Sequence, residues 1–151
     1  MKLYKFFKML SLFVYGGSIF CLIELIFTTL FFDNTFTHIV SYFQGGVIFL
    51  ILGMINNWFS WELGLVWQCL LGSVFITAIE LVTGLFFNVW LGLHIWDYSG
   101  MPLSFMGQIC LEFSLYWVFV SALGIILDDF LRYTLFKEQK PKYKIINLKN
   151  L

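Results

Sequence analysis

From Met9 to Leu131 the chain carries no lysine and no arginine. All nine basic residues are held back to Lys2, Lys5 and Lys8 or to Arg132 and beyond. A soluble domain disperses cations over its surface, and about a quarter of its residues are charged. Here only 12% are charged while 60% are hydrophobic, so the long cation-free interval has too little polar surface to face water. A bilayer is the solvent that suits it.

Crossing a hydrocarbon core of about 30 Å takes roughly 20 mostly apolar residues as helix. Four segments reach that length, at about 6–32, 36–55, 63–91 and 105–131, separated by DNT, NNWFSWE and GLHIWDYSGMPLS. The expected fold is an all-α integral membrane protein with four transmembrane helices. Residues 1–136 form the helical bundle and residues 137–151 a basic cytoplasmic tail.

Lysine and arginine near span ends mark the cytoplasmic side. An even number of crossings puts both basic termini in the cytoplasm and leaves the connections free of cations, as they are. That topology places NNWFSWE inside and WDYS outside, in a multi-pass protein of the plasma membrane. The first apolar run is longer than the 7–15 residues usual for a signal-peptide core, contains Glu24 and has no A-x-A site, so it reads as a span. The tail lysines suit an anionic inner leaflet. Cys21, Cys69 and Cys110 lie apart, each inside an expected span, and read as small buried hydrophobes.

Residues four apart share a helix face, and in lipid the small and polar ones turn toward protein. The third span carries Gln68, Gly72, Glu80, Gly84 and Asn88 at multiples of four. The fourth repeats the pattern with Gly107, Cys110, Ser114, Trp117, Ser121, Gly124 and Asp128, and the first with Gly17, Cys21, Glu24 and Thr28. Three such stripes imply one bundle.

Glu24 and Glu80 sit deep in their spans with no cation nearby in the sequence, and an ionised side chain there costs about 2.5–3.5 kcal/mol. Each is therefore protonated, or faces water or a bound cation. Two readings stand: a polar pathway between the first and third helices, or neutral acids bonded to Thr77, Thr83 or Gln68 as packing contacts. Glu112, on the opposite face of its helix, reads as a snorkelling surface acid.

WDYS reads as an interfacial turn. Trp96 and Tyr98 suit the headgroup level. Asp97 can accept a bond from the backbone two residues on, Gly100 can supply a positive φ, and Pro102 can start the re-entry. An external substrate mouth is the alternative. His94 and Asp97 are too few for a metal site.

GGSIFCLIEL, GGVIFLILGMIN, ITAIELVTGLFFNVWLGLHIWDYSGMPLSFMGQICLEFSLYW and LGIILDDFLRYTLF together resemble the small bacterial membrane proteins grouped as putative ABC-transporter type IV, a permease-like family. The likeness runs from about Leu12 to Phe136. It implies signature positions at Glu24, Glu80, Thr83, Gly84, Asn88, Trp96, Asp97, Tyr98, Ser99, Gly107, Gln108 and Cys110. Ser104 replaces the family's usual asparagine, and DNTFTHIVSYF has no R-G-F-x-x-G-P.

The resemblance implies a transport component, with Glu24, Glu80, Thr83, Asn88, Asp97 and Gln108 as its candidate polar pathway or substrate-binding residues. No G-x-x-x-x-G-K-[ST] is present, so an ATP-driven role calls for a separate ATPase subunit, and four helices call for a homo-oligomer or larger complex. A non-transport assembly or regulatory partner, or a holin-like pore former, is the other class. No H-E-x-x-H or G-x-S-x-G occurs, and enzymatic activity, a cofactor, a metal and a nucleic-acid partner are not expected.

Overall fold

The computed structural model describes residues 2–32, 39–59 and 62–146 of the 151. Five α-helices follow one another among these residues: α1 (Lys2–Phe32), α2 (Ile39–Leu52), α3 (Ile55–Phe59), α4 (Leu65–Gly84) and α5 (Leu111–Phe136). A π-helical turn, Leu85–Trp90, prolongs α4. Among the described residues four stretches are long and apolar enough to cross a membrane: Lys2–Leu30, Ile39–Phe59, Leu65–Trp90 and Leu111–Phe136. Among the described residues there is no strand, only one isolated bridge between Phe105 and Ile109. The DNT break, the start of the second expected span, Ser60 and Trp61 of NNWFSWE, and tail residues 147–151 lie outside the described residues.

The fourth crossing is displaced from the expected one. It begins at Leu111 and runs through to Phe136, instead of spanning 105–131. Leu103, Met106 and Gly107 all have positive φ, a backbone state that cannot continue a right-handed helix. Residues 91–110 therefore form an irregular cap segment folded over one end of the bundle. Gly100 is not among the positive-φ glycines; Gly92 and Gly107 are.

α1 and α2 make the most extensive interface and α4 and α5 the next, giving two antiparallel hairpins that meet where α2 packs on α4 and α5. The first hairpin has almost no room at its seam. A Cβ on Gly16 would collide with Phe49, one on Gly17 with Tyr42, one on Gly45 with Phe20 and one on Gly46 with Phe13. Glycine lets these backbones approach, and each aromatic ring fills the notch opposite. The core between the hairpins is Ile48, Leu52, Ile55, Cys69, Ile76 and Ile125.

The four-residue stripe of α4 is inward along its whole length: Gln68, Gly72, Glu80, Gly84 and Asn88 are buried, with Ile76 filling the gap in the series. A Cβ on Gly72 would lie 2.6 Å from Ser121 Oγ, so this face meets α5 there. Glu112 is exposed, as expected of a surface acid, and accepts a bond from Tyr116 at 3.0 Å. Cys69 and Cys110 are buried thiols.

The first turns of α1 and the chain just after α5 meet at the end of the bundle opposite the cap segment. The Tyr4 hydroxyl reaches the Phe136 carbonyl at 3.3 Å, and Lys8 pairs with Glu138. After α5 the chain turns back through a left-handed Lys137 and runs to the start of α4. There the carbonyls of Lys144 and Ile145 accept from the N–H groups of Leu65 and Val66 at 2.7 and 3.3 Å. The first turn of any helix leaves such donors unmatched, and residues 137–146 match two of them.

Candidate functional site

Glu80 is 4% exposed and lies under the cap segment, on the inward face of α4. Its Oε1 accepts from the Tyr98 hydroxyl at 2.9 Å, and its Oε2 from the Trp117 indole N–H at 2.8 Å. Neither donor is among those expected from the sequence. Thr77 donates to Ser114, Thr83 returns to the carbonyls of Ile79 and Glu80 on its own helix, and Gln68 donates to the Leu63 carbonyl. These donors of α4 are thus committed elsewhere, and those to Glu80 come from the cap segment and α5.

Tyr98 thus turns into the bundle. Its ring stacks on Phe113 with centroids 4.6 Å apart, and Phe113 meets Phe27 of α1 edge-on at 6.0 Å. Burial raises the Tyr98 phenol above its usual range, and the Glu80 carboxylate raises it further, with smaller contributions from Cys110 and Glu24. The hydroxyl stays a donor. Glu24 accepts from Ser41 of α2 at 2.9 Å, so the two acids bond to different elements while both act on the one phenol.

Two turns beyond Glu80 the cap is pinned by Asn88. Its amide donates to the Trp96 carbonyl at 3.0 Å and to Gln108 Oε1 at 2.9 Å, and its oxygen accepts from Ile95 N–H at 2.7 Å. Gln108 donates onward to the Met106 carbonyl, and its own carbonyl receives the Trp96 indole at 3.0 Å. Gln108 therefore belongs to the cap and not to the start of a helix. The π-helical turn presents Asn88 inward while Phe86, Val89 and Trp90 stay exposed. Such turns recur at functional positions in helices.

Asp97 makes the expected Asx-turn. It accepts from Ser99 N–H at 2.8 Å and from Ser99 Oγ at 2.6 Å. The hydroxyl first, then the backbone N–H, hold its carboxyl below the usual range, and His94 adds to this. A Cβ on Gly107, whose φ is +70°, would meet Ser99 Oγ at 2.6 Å and Asp97 Oδ1 at 2.7 Å. Only glycine fits there, on both counts. Ser104, which stands for the family's asparagine, has a buried hydroxyl with no hydrogen-bond partner among the described residues.

Of the candidate residues, Asn88 and Gln108 bond to each other, Glu80 bonds to Tyr98 and Trp117, Glu24 bonds to Ser41, Asp97 is exposed, and Thr83 is turned to its own backbone. Sequence reasoning missed Tyr98 and Trp117 as the partners of Glu80. It also missed a second polar centre at the opposite end, where Asp128 pairs with Arg132 and Asp129 accepts from Asn56 and Tyr143. The D-D-x-x-R spacing of α5, which sets Asp128 and Arg132 one turn apart, was the available signal.

A capped four-helix membrane bundle with a buried carboxylate under its cap is the class that this geometry defines. The chain matches the family described as "Putative ABC-transporter type IV" over residues 2–148, and it belongs to that family. No curated protein and no solved structure matches it significantly.

Proposed function

We propose that the chain is a membrane-embedded transport component of the plasma membrane, with both termini cytoplasmic and the cap segment outside. The observation that carries the reading is the Glu80 carboxylate, buried in the bundle and held by a hydroxyl from the cap. An acid at that depth is a functional candidate by default. Glu24, Asn88 and Gln108 extend the polar lining toward the cap, and Thr83 and Asp97 flank it. Having no nucleotide-binding loop, the chain takes its energy from a separate ATPase subunit, and it works as a homo-oligomer or within a larger complex. It carries out no covalent chemistry of its own.

The test is purification of the tagged chain from its native membrane in mild detergent, with protein identification and ATP hydrolysis measured on the eluate. A stoichiometric ATPase, with hydrolysis reduced by Glu80→Gln at unchanged thermal stability, is the expected result. A chain that elutes without any ATPase sinks the coupled reading.

The double hydrogen bonding of Glu80 favours a second reading, in which the carboxylate fastens the cap and the chain serves as an assembly or regulatory partner. In that case Glu80→Gln, which can keep both bonds, leaves stability and partner recovery near wild type, and Tyr98→Phe lowers the two together. Lysis on overexpression would mark the holin-like variant of this class.

A further inference from the structure

The polar centre at the terminal end of the bundle contains an atom that its own residues leave unmatched. Asp129 Oδ2 accepts from the Asn56 amide at 2.9 Å and from the Tyr143 hydroxyl at 2.7 Å. Because only the amide nitrogen of Asn56 can donate, that bond fixes the orientation of the side chain. Asn56 Oδ1 is then a buried acceptor with no hydrogen-bond partner among the described residues, on a residue only 8% exposed.

Asn56 lines a cavity of about 80 Å³ together with Asn57, Asp129, Arg132 and Glu138. One water needs only about 10–15 Å³ of such space, so a partly hydrated ion fits. The charges around it do not cancel. Asp128, Asp129 and Glu138 face Arg132 and Lys8, three acids against two cations, and the Arg132 guanidinium is already committed to Asp128. What the cavity lacks is one positive charge and one donor. Burying an unpaired charge or acceptor is unfavourable, and a single cation relieves both.

The fold opens at the same place. α2 stops at Leu52 and resumes as α3 at Ile55, and a Cβ on Gly53 would collide with the Asp128 carboxylate. Interrupted membrane helices recur beside ion sites because their backbone oxygens and side chains can turn toward the ion. Among the described residues no group of three His, Cys, Asp or Glu side chains is arranged to hold a metal ion. An amide oxygen with carboxylates is a donor set for a hard cation, and an excess of one negative charge calls for a monovalent one.

We infer that this cavity binds one monovalent cation of sodium, potassium or ammonium size, held by Asn56 Oδ1 and the carboxylates of Asp129 and Glu138. The site lies at the opposite end from Glu80 and stands independently of the transport reading.

The full chain in neutral detergent is unfolded thermally in sodium, potassium, ammonium and choline chloride at equal ionic strength. At least one small cation is expected to raise the midpoint saturably where choline does not. Asn56→Ala and Glu138→Gln should each raise the half-saturating concentration about tenfold, the equivalent of one good contact. Glu112→Gln, on the exposed face near the other end, should leave it unchanged. Glu138 is partly exposed, so its variant tests the site even if Asn56→Ala fails to fold. Equal midpoints in all four salts, or variants that keep the wild-type half-saturation, overturn the assignment.

Discussion

The Tyr98 hydroxyl donates to the Glu80 carboxylate at 2.9 Å, from a cap segment that sequence reasoning puts at the membrane surface. This bond joins the segment outside the spans to the interior of the bundle. With the Trp117 indole on the other oxygen, both acceptor positions of the acid are served.

Tyr98→Phe is expected to lower stability by about 1 kcal/mol, the scale of one buried hydrogen bond in a membrane bundle. Trp117→Phe should cost a similar amount, and the double variant more than the sum, since it leaves the acid without either donor. Glu80→Gln should cost less than Tyr98→Phe. The Trp117 N–H can only donate and takes the amide oxygen, while the Tyr98 hydroxyl can turn to accept from the amide nitrogen. Thermal unfolding of the four variants in one detergent checks the order.

Gly84→Leu acts on the cap. A Cβ there would stand 2.5 Å from Gln108 Oε1 and 3.1 Å from the Trp96 ring. The variant should unseat residues 91–110, raising amide exchange at Ile95, whose N–H is bound by Asn88. Leu85→Ile should leave that exchange near wild type. Equal exchange in both variants would show that the close approach at Gly84 is not what seats the cap.

Topology is open to direct labelling in a cysteine-free background. Gly100 has nothing within 4 Å of a built Cβ, and Lys142 is exposed at the opposite end of the bundle. Gly100→Cys should react with an impermeant thiol reagent in intact cells, and Lys142→Cys only after permeabilisation. Labelling of both from one side would refute the four-span arrangement.

The returning chain at 137–146 should loosen in alkali. Burial first, then the hydrogen bond to Asp129, raise the Tyr143 phenol above its ordinary value of about 10. A phenol raised on folding stabilises the folded state fully below pH 10, and that contribution disappears as pH climbs through the folded value. Protease cleavage within 137–146 should therefore rise above pH 10 in the wild type. In Tyr143→Phe, which lacks the bond at every pH, cleavage should be high throughout and change little.

The spans were legible because twenty apolar residues have few alternatives to a membrane helix, and the inward face of α4 because small and polar residues recur there every four positions. The start of α5 was not. Phe105 and Met106 look like the beginning of an apolar helix, yet positive φ at Leu103, Met106 and Gly107 bends them into the cap, and only Gly107 announces this by residue type. Arg132 was placed beyond a span thought to end at residue 131, so its pairing with Asp128 inside α5 went unseen. The partners of Glu80 lie 18 and 37 residues away, a separation that no local pattern records.

The glycine seam between α1 and α2 bears on the order in which the chain is assembled. Gly16, Gly17, Gly45 and Gly46 fit their aromatic counterparts by shape, so this hairpin can close as soon as both of its helices leave the ribosome and enter the membrane. Glu80 emerges later and meets lipid without its donors until Tyr98, and then Trp117, have been synthesised. Nascent chains arrested before and after Trp117 should therefore both give α1–α2 crosslinks, whereas only the longer should resist extraction at α4. The early hairpin would then be a ready wall against which the half carrying the acid is built, shortening the time for which a polar group faces hydrocarbon.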